Sequence, residues 1–182
     1  ATVKSLDFLG ADAMHFVLDR GFYSEDNVGE LLRRRHHFTI AVPSGRKWVE
    51  AVIDRHYESI ASPERYRQID DGESLYVVTD LRRWGEDRRR AYLHVYYNAR
   101  QAADEFDRFT RELLQYKSEL ESGRRVEAHE ECYARFLTAR ETPKRGLRVT
   151  FNDAEIQKCR KRYAGFFCIL SSAFKDPMDA LR

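Results

Sequence analysis

Few residues of this chain have the type and setting to do chemistry, and the clearest is an aspartate. In His15-Phe16-Val17-Leu18-Asp19-Arg20-Gly21-Phe22-Tyr23-Ser24-Glu25-Asp26-Asn27 a short apolar run ends at a carboxylate, followed by a glycine-containing turn and a helix start at Ser24. That spacing predicts Asp19 at the carboxyl end of a buried strand, where ligands and metals collect in open α/β sheets. The plainer alternative is that Asp19 caps the turn. Arg82, Arg83, Arg88, Arg89 and Arg90 form the second group. Guanidinium forks suit phosphate oxygens, although short arginine runs beside acidic residues also serve as solvated surface. Arg33 to Arg35 form a further basic run. Other carboxylates, Asp70-Asp71, Asp80 and Glu130-Glu131, do not end a strand in the same way and read as solvated. The histidines show no His-Glu-x-x-His spacing, and no glycine-rich phosphate loop occurs, which argues against a metalloprotease or a nucleotide triphosphatase.

The elements that must position these groups follow from periodicity and caps. After Asp19, Ser24 is an N-cap. Glu25 and Asp26 open a helix that Arg33, Arg34 and Arg35 close, and Val28, Leu31 and Leu32 form its apolar side. His37 to Val42 reads as a second buried strand, which completes a parallel βαβ unit. Lys47 to Ile60 has helical spacing and stops at Ser62-Pro63. Leu75 to Leu81 and Ala91 to Tyr97 predict a β-hairpin around Trp84-Gly85-Glu86-Asp87, with Tyr66 to Ile69 as an added partner. Ala102, Phe106, Phe109, Leu113, Tyr116 and Leu120 form a seam that Val126, Tyr133, Phe136 and Leu137 can cover in a helical hairpin. Aromatic residues spaced along one helix face are packing residues rather than a base-stacking platform. Leu147 to Phe151 reads as a strand, Asp153 to Arg162 as a helix, and Gly165 to Leu170 as an apolar strand returning to the main sheet. Residues 1–14 read as a short helix or loop leading in.

The chain has 182 residues, 42% of them hydrophobic, which is enough for one domain with a core or for a core plus an insertion. Its 32 basic and 30 acidic residues leave +2, so any nucleic-acid surface is local rather than global. Cys132, Cys159 and Cys168 are scattered and odd in number, which argues against a disulfide framework or a zinc site. No apolar run reaches the roughly 18 to 20 residues of a membrane span, and no signal-peptide pattern opens the chain. A cytoplasmic, membrane-free protein is the expectation.

Three stretches, in order, carry a family resemblance. Leu18 to Asn27 (LDRGFYSEDN) resembles the second-aspartate motif of bacterial DDE transposases of the insertion-sequence-four group. Tyr92 to Ala103 (YLHVYYNARQAA) resembles the strand-to-helix step of their insertion. Tyr163 to Ser172, with Lys175 to Leu181, resembles the strand and linker before their Tyr-Arg-Glu-Lys helix. The resemblance implies an α/β fold, a partial ribonuclease H-like core, formed by residues 1–43 and 164–182. Residues 44–163 would be an insertion, with a β-hairpin at about 75–97 and a helical hairpin at about 100–140. It implies Mg²⁺-dependent cleavage and transfer of DNA strands at transposon ends, with Asp19 as catalytic residue and metal ligand. Two-metal phosphoryl transfer needs several carboxylates. The first Asp and the Glu of the triad find no match here, so the expectation is a central fragment, inactive alone, that contacts DNA through the five hairpin arginines. The alternatives are a non-catalytic DNA-binding or association module and a purely structural domain. An uncovered sheet edge would favour a homo-oligomer.

Overall fold

The computed structural model describes residues 14–69, 72–144, 146–161 and 163–182. The expectation for residues 1–13 and the Asp70-Asp71 pair lie outside them. The elements in chain order are β1 (His15–Leu18), α1 (Glu25–Arg33), β2 (His37–Val42), α2 (Lys47–His56), β3 (Tyr66–Gln68), β4 (Ser74–Trp84), β5 (Arg89–Tyr97), α3 (Ala99–Glu121), α4 (Glu130–Phe136), β6 (Leu137–Thr142), β7 (Gly146–Phe151), α5 (Asp153–Lys161), β8 (Phe166–Ser171) and α6 (Pro177–Leu181). The fold is mixed α/β. Among the described residues no helix is long and apolar enough to cross a membrane.

The chain divides into two compact units, residues 1–99 with 166–182, and residues 100–165. The first is built on a six-stranded sheet in the order β1-β2-β8-β5-β4-β3. Only β1 and β2 run parallel, as expected of the βαβ unit; every other neighbour pair is antiparallel. β8 does return to the main sheet, between β2 and β5. The hairpin β4–β5, expected inside an insertion starting near residue 44, is instead part of that sheet. The reason lies in β5, where Leu93, His94, Val95 and Tyr96 are all buried. A strand buried on both faces needs neighbours on both edges and layers above and below, which a hairpin in an insertion lacks.

Residues paired in register share a face and alternate along each strand. One face carries Phe38, Ile40, Leu93, Val95 and Leu170, all buried. α1 and α2 lie over this side: Gly29 approaches the Trp84 indole, and Trp48 packs edge-on against Trp84 at 6.0 Å between centroids. Val28, Leu31 and Leu32 of α1 and Val49, Val52 and Ile53 of α2 are their buried sides. Each such side chain contributes about 1.5 to 3 kcal/mol by leaving water. On the other face α6 brings Met178 and Leu181 against Leu75, Val77, Tyr96, Phe167 and Ile169. Two polar groups buried there are satisfied. The Tyr96 hydroxyl donates to the Pro177 carbonyl at 2.6 Å. His94 Nε2 lies 3.1 Å from the Phe174 carbonyl and Nδ1 lies 2.9 Å from the Thr79 hydroxyl. A carbonyl only accepts, so Nε2 carries the proton and Nδ1 accepts from Thr79. Burial pushes the His94 pKa down, and the ring is held neutral.

In the second unit Leu120, Tyr133, Leu137 and Val149 form a core, with Tyr116 and Phe151 against it. The expected seam along α3 exists, but its partner is only partly helical. α4 is seven residues long, and Leu137 already belongs to β6, which pairs with β7. β-branched Thr138 and Thr142 and the following Pro143 disfavour further helix and suit a strand ending in a turn. Val126 precedes a 3₁₀ turn over Glu127–His129 rather than lying on a helix. The α3–α4 junction is closed by Glu119, whose carboxylate accepts from the Tyr133 hydroxyl, from Gln115 Nε2 at 2.8 Å and meets His129 Nδ1 at 2.9 Å. These bonds, Tyr133 first, hold the Glu119 carboxyl down at about 2. The three cysteines are free thiols, and burial pushes the Cys168 thiol up to about 12.

Candidate nucleic-acid interface

Asp19 ends β1. Its Oδ1 accepts the Gly21 N–H at 2.7 Å and so caps a 3₁₀ turn over Arg20–Phe22. A side chain at residue 21 would begin 3.1 Å from that oxygen, which accounts for glycine there. Ser24 caps α1 through the Asn27 N–H at 3.0 Å, and Asn27 Nδ2 donates to the Phe22 carbonyl at 2.9 Å, locking turn to helix. The turn-capping role weighed for Asp19 is therefore present in the structure, together with its position at a strand end. Asp19 is exposed, and its second oxygen has no partner among the described residues. A Mg²⁺ site needs several oxygen ligands in near-octahedral geometry. Among the described residues no three His, Cys, Asp or Glu side chains come together to hold a metal. Asp19 alone would supply one of those ligands. Of the other carboxylates, Asp80 is committed to Arg55 at 2.7 Å and Glu130 to Arg125.

The five hairpin arginines separate according to the strand period. Arg82 and Arg89 share a face with Trp84. The Arg82 guanidinium lies 4.1 Å from the Trp48 ring centroid and 4.9 Å from that of Trp84. Trp48 in turn donates to the Tyr23 hydroxyl at 3.0 Å. Arg89 reaches towards Asp87 at 3.5 Å. The Nε atoms of both arginines are buried without a hydrogen-bond partner among the described residues. Arg82 is thus a packing cation in an aromatic stack. This stack was not legible in the sequence, since Tyr23, Trp48 and Trp84 come from three separate segments.

Arg83 and Arg90 point to the opposite face, exposed and directly across the ladder from each other. Arg88 is exposed in the turn with φ +49, opposite Gly85 at φ +67. None of these three has a carboxylate partner among the described residues. Like charges directly across a ladder are destabilising. Two unit charges 4 Å apart repel by about 1 kcal/mol in water, and an anion lying over both reverses the sign. Val17, 80% exposed on β1, and Leu81 on β4 lie on this same face, left open where α6 does not reach.

Asp19 and these arginines are not neighbours. The row of Leu18 runs through Ile40, Leu170 and Leu93, and Asp19 is one residue further. Arg90 lies three strands across and four residues along from that position, roughly 20 Å at about 4.8 Å per strand and about 3.3 Å per residue. Against α1 the hairpin tip leaves a cleft of about 270 Å³ lined by Gly29, Arg33, Trp84, Asp87 and Arg89, whose charges are of both signs. Comparison of the chain with protein-family models, with curated proteins and with solved structures finds no match.

Proposed function

We propose that this chain grips duplex DNA through the tip of the β4–β5 hairpin, as part of a ribonuclease H-like transposase in which Asp19 is one of the carboxylates of the strand-cleaving site. The observation that carries the reading is the exposed pair Arg83 and Arg90, directly opposite and joined by Arg88, without carboxylate partners among the described residues. Three guanidinium groups so placed suit phosphate oxygens and carry no base information. The parallel β1–α1–β2 unit with an exposed aspartate at its strand end supports the ribonuclease H-like part, as does the family resemblance of Leu18 to Asn27. The separation of roughly 20 Å between Asp19 and Arg90 equals about six base-pair steps, which allows one duplex to span both.

The test is binding of a labelled duplex at several salt concentrations. Replacing Arg83, Arg88 and Arg90 by Gln is expected to weaken binding for all sequences alike and to lower the slope of log affinity against log salt by about 3. Unchanged affinity and slope would remove the reading. The second reading, a DNA-binding module without catalysis, is favoured by the commitment of Asp19 Oδ1 to its own turn and by the lack of companion carboxylates among the described residues. The two separate in a longer polypeptide that carries the further carboxylates. There Asp19→Asn abolishes Mg²⁺-dependent cleavage and spares DNA binding if the first reading holds, and changes neither if the second does.

A further inference from the structure

The β6–β7 hairpin has two unlike faces. Leu137, Val149 and Phe151 turn inward to the core with Leu120, Tyr116 and Tyr133. The alternate positions turn outward: Thr138 beside Thr150, Arg140 beside Arg148, and Thr142 beside Gly146, all exposed. This outer face holds no acidic residue, and exposed Lys144 stands in the turn beyond it. Arg140 and Arg148 have no carboxylate partner among the described residues, whereas Arg125 and Arg135 in the same unit pair with Glu130 and Glu155. An arginine directly opposite an arginine is the arrangement already met at Arg83 and Arg90, here in a separate unit and on a ribbon of two strands only.

We propose that the outer face of β6–β7 is a second DNA contact, laid into the major groove of a duplex with Arg140 and Arg148 on the flanking phosphates. This rests on the reading of the chain as a DNA-gripping protein. A two-stranded ribbon fits the roughly 12 Å width of the B-form major groove. The A-form groove of RNA is too deep and narrow for it. The short threonines let the ribbon approach the base edges, where a hydroxyl both donates and accepts. The like-charge pair weakens the free ribbon and is neutralised by the polyanion.

The experiment measures fluorescence anisotropy of a labelled duplex of about 20 base pairs, at the 3.4 Å rise per pair of B-DNA, with the whole 182-residue chain over a range of salt. Arg140→Gln with Arg148→Gln is expected to weaken binding about tenfold or more and to lower the salt slope by about 2. Arg140→Glu is expected to abolish the contact while raising the thermal midpoint slightly, because it places opposite charges across the ladder. If that variant unfolds, the Gln pair decides. Unchanged affinity and slope in the Gln pair, with loss in Arg83→Gln with Arg90→Gln, would overturn the ribbon contact and leave the function proposed above standing. No duplex binding by the unaltered chain would overturn both. Tighter, Arg140-dependent binding to an RNA duplex or to phosphatidylserine vesicles would overturn the assignment to DNA.

Discussion

The two hairpins carry similar outward chemistry on very different supports. β4–β5 is embedded in a six-stranded sheet with helices over one face and α6 over part of the other. β6–β7 is a ribbon of two strands backed by one small cluster. An isolated two-stranded hairpin is marginal in water. The same like-charge pair therefore weighs more heavily on β6–β7, where fewer buried side chains oppose it. A surface can be copied between hairpins without its support, because strand faces alternate independently of what lies behind them.

The largest expected difference is in the cores. Leu93→Ala, at a fully buried position of β5, is expected to cost about 3 to 4 kcal/mol, and Val149→Ala in β7 about 2 kcal/mol. Chemical denaturation followed by tryptophan fluorescence reports the first unit, which holds both Trp48 and Trp84. Equal losses by that probe would contradict the division. Next comes His94→Leu, expected to cost about 1 to 3 kcal/mol because the Thr79 hydroxyl and the Phe174 carbonyl lose their partner.

The two units are also expected to respond to acid at different pH. The folded pKa of His94 lies below its ordinary 6.5, so the unfolded chain takes up the proton first. The His94 contribution is present above about 6.5 and is lost as pH falls through the lower folded value. Glu119, held at about 2 against an ordinary 4.5, contributes fully above 4.5 and loses its contribution as pH falls towards 2. Unfolding midpoints of residues 100–165, followed by NMR against pH, are expected to hold level until pH falls below about 4.5, where the first unit has already weakened. Glu119→Gln is expected to flatten that later acid limb, and an unaltered limb in this variant would point to another group. The smallest effect is expected at the arginine pairs. Arg83→Glu and Arg140→Glu each replace a repulsive pair with an attractive one, a gain of about 0.2 to 1 kcal/mol that thermal unfolding can resolve. A larger gain in β6–β7 than in β4–β5 would sharpen the contrast, and a loss in both would break it.

What the sequence by itself determined is local. The strand ending at Asp19, the Ser24 cap, the acidic first turn of α1, the strand at His37 to Val42 and the apolar return strand all rest on periodicity and hydrogen bonds spanning a few residues. Only the tertiary structure decided that β4 and β5 join the main sheet, that Leu137 leaves its helix for a strand, and that five neighbouring arginines divide into two half-buried on the face of Trp84 and three exposed. The seating of Phe38 illustrates the cause. Its N–H donates to the Ser172 hydroxyl and its carbonyl accepts from Ser171, partners 134 and 133 residues away. Each strand shows in its own sequence a pattern of faces but not the identity of its neighbours. Those are selected by the joint burial of side chains from the whole chain, so pairing, and with it the placement of every charged group on a face, is a property of the assembled sheet.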